Sequence, residues 1–218
     1  MGQLIWFIGA SSMRQAEVFL KGEGDEWYER NRDAELNPIV VSSIVTSNIR
    51  PASVLEVGCG NGRYLGELHR LYRAINQEPI RTLGIDPSSK AIKEARKNYP
   101  GIKFRVDDAS EGLNFECGNQ THYDLIIFGF CLYLLDRTDL FYVVAASDAI
   151  LNDGGYIAIH DFDTLRPHKV PYKHKDGIFS YKMDHSQLWL SNPAYTWVNR
   201  TKTGDGQSIT IIRKTGWP

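Results

Sequence analysis

Val54-Leu55-Glu56-Val57-Gly58-Cys59-Gly60-Asn61-Gly62 is the stretch on which the fold turns. A short apolar run ends in three closely spaced glycines, and from Arg63 to Ile75 apolar residues then recur at helical intervals (Leu65, Leu68, Leu71, Tyr72, Ile75). That order predicts a strand, a tight turn and a helix. Further along, Thr82 to Ile85 reads as a second strand, and Ser88 to Asn98 as a helix opened by Pro87-Ser88 and closed by Pro100-Gly101. Ile102 to Val106 reads as a third strand. Tyr123 to Phe130 (YDLIIFGF) is almost continuously apolar, as a strand buried on both faces of a parallel sheet must be. Asp139 to Leu151 is a helix, Asn152 to Gly155 a turn, Tyr156 to His160 a fifth strand and Ser208 to Arg213 a late one. The alternation selects an α/β fold with an open, mostly parallel, doubly wound sheet.

The chain has 218 residues, 42% hydrophobic and 23% charged, the proportions of a globular protein with one core. Lys and Arg number 25 against 26 Asp and Glu, and a net charge of −1 supplies no field to hold nucleic acid. No apolar run reaches the roughly 18 to 20 residues of a membrane span. Cys59, Cys117 and Cys131 are odd in number and lack metal-ligand spacing, which suggests reduced thiols in a cytoplasmic protein and no metal. The apolar start MGQLIWFIGA lacks the basic residue of a signal peptide and reads as a loose tail, with Met13 as an alternative start. Asn119-Gln120-Thr121 and Asn199-Arg200-Thr201 match the glycosylation acceptor by chance. The organisation expected is a helical extension over residues 1–50, a core over 51–161, an irregular insertion over 162–207 and a final strand of the same domain over 208–218.

Glycines at a strand end let the backbone approach a ligand closely, because they have no Cβ. The spacing G-x-G-x-G differs from the dinucleotide pattern, and Glu56 lies two residues ahead of Gly58. A carboxylate there repels a pyrophosphate and attracts an ammonium. Asp86 ends the second strand, placed to accept the hydroxyl protons of a ribose, and Asp108 follows the third, placed to accept from an adenine amino group. Each acid taken singly could instead be a helix N-cap or a turn. Taken together they describe a ligand with an amino-acid part, a ribose and an adenine.

From Val54 to about Ile159 the chain resembles the class I S-adenosylmethionine-dependent methyltransferases: LEVGCGNG is similar to their first motif, GIDPS to the second, DDA to the third and YDLIIFGFCLYLLD to the fourth. The resemblance implies a Rossmann-like sheet of seven strands with one antiparallel strand near the edge, which SITIIR could supply. It also implies S-adenosyl-L-methionine as cofactor. Glu56 and the loop Gly58, Cys59, Gly60 and Gly62 would hold its methionine end, Asp86 with Pro87 the ribose, and Asp108 with Ala109 the adenine, beside Phe128 and Phe130 of the fourth motif. FLKGEGDEWYERN (Phe19 to Asn31) resembles a signature of bacterial methyltransferases of pseudaminic acid and related surface-glycan biosynthesis. There Tyr28 would stack on the cofactor and Arg30 or Arg32 would pair with its carboxylate; the alternative is an amphipathic helix with a solvated arginine face.

Methyl transfer is an in-line displacement, so the enzyme supplies position, dryness and, for a hydroxyl acceptor, a base. His160, oriented by Asp161 at the end of the fifth strand, is the expected base, against a histidine satisfied by backbone. The basic, aromatic HKVPYKHK segment (His168, Tyr172, Lys173, His174) suits an anionic acceptor or is a solvated loop, and His185 is a second candidate base. Asn192-Pro193-Ala194-Tyr195 looks like an amine-methylation signature but falls some sixty residues after the fourth strand, so it reads as a proline turn. The activity expected is methyl transfer to a small, sugar-derived acceptor in surface-glycan synthesis, to oxygen first and to an amino-sugar nitrogen second. A module that binds the cofactor without chemistry is the alternative, and a homodimer is allowed.

Overall fold

A computed structural model describes residues 14–76, 80–109, 122–204 and 206–216; the tail and Met13, Cys117 and the tripeptide at Asn119 lie outside the described residues. Nine strands are described: β1 Ser53–Val57, β2 Arg81–Asp86, β3 Lys103–Val106, β4 Tyr123–Gly129, β5 Leu151–Phe162, β6 His168–Pro171, β7 Phe179–Lys182, β8 Tyr195–Gly204 and β9 Gln207–Lys214. Seven of them form one sheet in the order β3-β2-β1-β4-β5-β9-β8, and β6 and β7 make a separate hairpin. The first five are mutually parallel, and β9 runs antiparallel to both β5 and β8. SITIIR therefore supplies the antiparallel strand.

Side chains alternate across a strand, and β4 shows this cleanly. Tyr123, Ile126 and Phe128 enter one core with Leu140 and Val143, whereas Leu125 and Ile127 enter the other. That second core is sealed by α3 (Pro38–Thr46), α4 (Arg63–Asn76) and α5 (Ser89–Asn98). In α4, Leu65, Leu68 and Tyr72 are fully buried at i, i+3 and i+7, the spacing of one helical face. On the other side lie α6 (Arg137–Ile150) and the short α7 (Gln187–Leu190), whose Trp189 stacks near Phe128 at 5.4 Å.

Ahead of the sheet, α1 (Gln15–Val18), a π-helical turn (Phe19–Glu23) and α2 (Gly24–Asn31) lie along the C-terminal strand ends. Phe19 packs there with Tyr133, Leu134, Tyr172 and Ile178, joining this segment to the β6–β7 hairpin.

The segment read as an irregular insertion contributes a sheet strand, β8. Its residues are mostly half-buried or exposed and include Thr196, Asn199, Arg200, Thr201, Lys202 and Thr203, so its apolar period is weak although it pairs along its length with β9. The turn expected at Asn152 to Gly155 is absorbed into β5, with a register shift between Tyr123 and Leu125. NPAY is a turn into β8: the Tyr195 N–H donates to the Asn192 carbonyl at 3.0 Å.

Candidate functional site

Beneath α1 and α2, at the C-terminal ends of β1, β2, β3 and β4, lies a cavity of about 710 Å³, its open mouth included. This is where the strand order reverses between β1 and β4, the place where open α/β sheets bind ligands. Gly58 forms its floor at φ 73°, and a Cβ there would stand 2.7 Å from Cys131 Cβ. Only glycine fits that position. The Gly58 and Cys59 N–H groups both donate to the Ile85 carbonyl, at 2.9 and 3.0 Å, tying the loop to β2.

Asp86 lies on the wall, its Oδ2 accepting from Gly60 N–H at 2.9 Å and its Oδ1 from Ser88 N–H at 2.8 Å. Burial outweighs those two donors and pushes its carboxyl up to about 6. Each oxygen keeps lone-pair capacity toward the cavity. Pro87, Asp107, Asp108 and Ala109 continue the wall, and Phe130 and Trp27 close it. Glu56 lies behind the glycine backbone: its Oε1 would be 3.0 Å from a Cβ on Gly129. It is fully buried, neither oxygen has a hydrogen-bond partner among the described residues, and burial pushes it up to about 8. A buried orphan acid of this kind is what an incoming ammonium would satisfy. The set fits a nucleoside with an amino-acid end: a glycine floor that side chains cannot occupy, Asp86 and Asp108 on the wall, and the unpartnered Glu56 behind.

Other expected residues are placed elsewhere. Cys59 is buried in the core on the α4 side, and Gly62 (φ 78°) abuts Phe104, 2.6 Å from where its Cβ would be. Phe128 packs on Trp189. Tyr28 does not stack in the cavity; its hydroxyl bonds Glu94 of α5. Arg30 pairs with Glu23 and donates to Tyr172 Oη at 3.0 Å, so it is no carboxylate clamp, and Arg32 lies beside Glu29. Tertiary packing decides between the neighbours: Gly24 and Trp27 line the cavity, whereas Tyr28 is held toward α5 by its bond to Glu94.

Asp161 does not orient His160, because neighbours on a strand point to opposite faces. Its carboxylate accepts from Phe162 N–H at 2.7 Å and Tyr133 N–H at 3.3 Å, and burial pushes it up to about 7. His160 is 7% exposed; its Nε2 meets Thr203 Oγ1 at 3.2 Å and burial lowers it to about 4. It lines neither this cavity nor the next, and stands 5.5 Å behind the Phe130 ring. His185 is buried away from both cavities, also lowered by burial to about 4.

A second, more open cavity adjoins the first and shares Trp27 and Phe130 with it. Tyr172, Lys173 and His174 line it as expected; Tyr133, Phe162 and Lys182 were not foreseen. His168 is exposed outside it, its Nδ1 3.0 Å from the Arg166 carbonyl. Phe130, at φ 56°, is a bulky residue in the left-handed region at the boundary of the two cavities, where stored strain is typical of functional sites.

Residues 54–155 match the model of a methyltransferase domain family. Over that stretch the chain is similar to methyltransferase domains, and its sheet order β3-β2-β1-β4-β5 is that of the class I methyltransferase fold. Over 81 residues it is 31% identical to the 235L protein of Invertebrate iridescent virus 6, described as a methyltransferase; the match spans 37% of this chain and about a quarter (26%) of that protein. In fold, the chain is similar to the 1,6-didemethyltoxoflavin-N1-methyltransferase of Burkholderia thailandensis (TM-score 0.70, 18% identity, 96% of this chain and 94% of that one). It is also similar to the N-methyltransferase NodS of Bradyrhizobium japonicum (TM-score 0.62, 17% identity, 94% and 100%). Among the described residues no helix is long and apolar enough to cross a membrane, and no group of three or more His, Cys, Asp or Glu could hold a metal ion.

Proposed function

We propose that the protein transfers a methyl group from S-adenosyl-L-methionine to a small-molecule acceptor held in the second cavity. The observation that carries this reading is the sharing of Trp27 and Phe130 by the two cavities, which puts an acceptor next to the cofactor site. The cofactor, when bound, supplies an activated methyl on a sulfonium. The chain's own residues would hold and orient it: Gly58 gives the floor, Asp86 would accept from the ribose hydroxyls, Asp108 and Ala109 would flank the adenine, and Glu56 would balance the ammonium charge. The α1–α2 segment covers the site and excludes water.

Lys173 and Lys182 in the acceptor cavity favour an anionic acceptor. The sequence reading favours transfer to oxygen of a sugar-derived acceptor, and the two similar structures act as N-methyltransferases by name, so both atoms stay within the proposal. The surface-glycan pathway rests on the Phe19 to Asn31 signature alone. Its Tyr28 and Arg30 make structural contacts here, and the acceptor is therefore specified by its chemistry.

Calorimetric titration with S-adenosylhomocysteine tests the reading. Saturable binding is expected near neutral pH, with proton release: an ammonium beside Glu56 pulls its raised pKa down, so the measured enthalpy varies with the ionisation enthalpy of the buffer. Absence of saturable binding overturns the proposal.

A further inference from the structure

The second cavity is built from aromatic rings and cations. Phe130, Tyr133 and Phe162 form a contiguous set, with ring centroids 4.9, 5.2 and 5.1 Å apart pairwise, and Trp27 adds a fourth ring. Lys182 Nζ sits 4.1 Å from the Phe162 ring centre, and Lys173 and His174 line the same cavity. Neither lysine has an ion-pair partner among the described residues. No Asp or Glu lines the cavity. Glu23, behind Tyr172, accepts its hydroxyl proton at 3.1 Å and is paired with Arg30, and Asp161 is engaged by the Tyr133 and Phe162 N–H groups. Lys169, on the outer face of the same hairpin, stacks over Phe179 at 3.5 Å.

This wall differs from what a sugar requires. Sugar hydroxyls present many donors and call for several carboxylate or amide acceptors, whereas this wall offers one amide, Asn31, which already donates to the Trp27 carbonyl, and one aliphatic hydroxyl, Ser180, beside three tilted rings in mutual contact. The wall holds no carboxylate base: His160 and Asp161 line neither cavity, the lysines are cations, and the one imidazole of the wall, His174, packs edge-on to Tyr172. An acceptor that must lose a proton to react has no carboxylate here to take it. We infer that the acceptor is a flat, conjugated acid, such as a phenol, enol or acidic ring N–H, that enters as its delocalised anion, stacks among Phe130, Tyr133 and Phe162, and is neutralised by Lys173 and Lys182.

The proton leaves for solvent before transfer, because the two lysines favour the anion. The acceptor's own lone pair forms the new bond to the methyl carbon, and the electron pair of the breaking carbon–sulfur bond stays on sulfur. The charges of anion and sulfonium cancel, and no protein group takes up a proton at that step. This deepens the proposed function and depends on it, since the acceptor cavity has meaning only beside a cofactor site.

The test uses the full chain saturated with S-adenosylhomocysteine. Binding of a series of planar acids of graded acidity (4-nitrophenol, 4-hydroxybenzoate, urate) is compared by calorimetry with that of glucuronate and galacturonate. At least one planar acid is expected to bind about tenfold or more tightly than either sugar acid, the difference one good stacking contact makes. The absorbance of bound 4-nitrophenol should show the phenolate at a pH where the free compound is still largely protonated, and the double variant Lys173→Ala, Lys182→Ala should abolish that shift. Sugar acids binding as well as planar ones, no planar acid binding, or bound nitrophenol remaining protonated overturns the inference. Failure of S-adenosylhomocysteine itself to bind overturns instead the proposed function.

Discussion

Asp86 illustrates how one side chain serves the loop and the ligand together. Its two oxygens already hold Gly60 and Ser88 N–H groups, which fix the carboxylate at the cavity wall with lone pairs to spare. Asp86→Asn keeps one acceptor and removes a charge, and should weaken S-adenosylhomocysteine by roughly 10- to 100-fold, as for loss of charged hydrogen bonds. Its thermal midpoint should fall, because the amide nitrogen of Asn meets one of the two backbone N–H donors and leaves it without an acceptor; calorimetry and a melting scan read the two effects separately. Trp27 and Tyr28 make a matched pair for the same purpose. Trp27→Ala should weaken the ligand, whereas Tyr28→Phe should leave affinity unchanged and lower stability by about 1 kcal/mol through loss of the Glu94 bond. Equal loss of affinity in both would contradict the placement of Trp27 on the cavity and Tyr28 toward α5.

At the scale of elements, the cover over the cavity is clamped by one acid. Asp25 of α2 accepts from Ser88 Oγ at 2.7 Å, Ser89 Oγ at 3.1 Å and Lys90 N–H at 3.0 Å, bridging α2 to the first turn of α5, where a negative charge is favoured. Burial alone would raise its pKa, but these donors hold it below the usual carboxylate range. Its stabilisation is present above the unfolded pKa and is lost as pH falls through the folded one. Asp25→Ala should cost about 1 to 2 kcal/mol, the usual loss for a capping contact, and expose the 24–31 segment to protease sooner than the sheet. Uniform proteolysis would argue against a separable cover. Of these elements, α4, α5 and the five parallel strands were legible from apolar period and turn residues. β8 was not, because an edge strand buries too little to impose alternation, and it is defined only by pairing with β9.

Across the whole molecule, buried acids set the response to pH. Glu56 and Asp161 carry raised values of about 8 and about 7 because the sheet desolvates them. The folded state therefore holds protons that the unfolded chain has released, and stability falls as pH rises. His160 and His185 act oppositely, but only below the unfolded histidine value of about 6.5, and Asp86 has finished titrating by then. Between roughly pH 6.5 and 8 the thermal midpoint should drop, and Glu56→Gln should flatten the drop. A midpoint that climbs across that interval would contradict the burial of these carboxyls.

The linear order of residues determined the alternation of strands and helices, the glycine turn after β1, and the acids that close β2 and follow β3, because each is a local property of backbone freedom and apolar period. Only the tertiary structure decided which side chains meet. Strand alternation turned His160 away from Asp161, packing of α2 on α5 put Trp27 rather than Tyr28 over the cavity, and packing of the β6–β7 hairpin against α1 and α2 brought Tyr172 and Lys173 into one cavity with Phe130. The walls of both cavities come from segments distant in the chain, and no window of neighbouring residues carries the geometry that unites them.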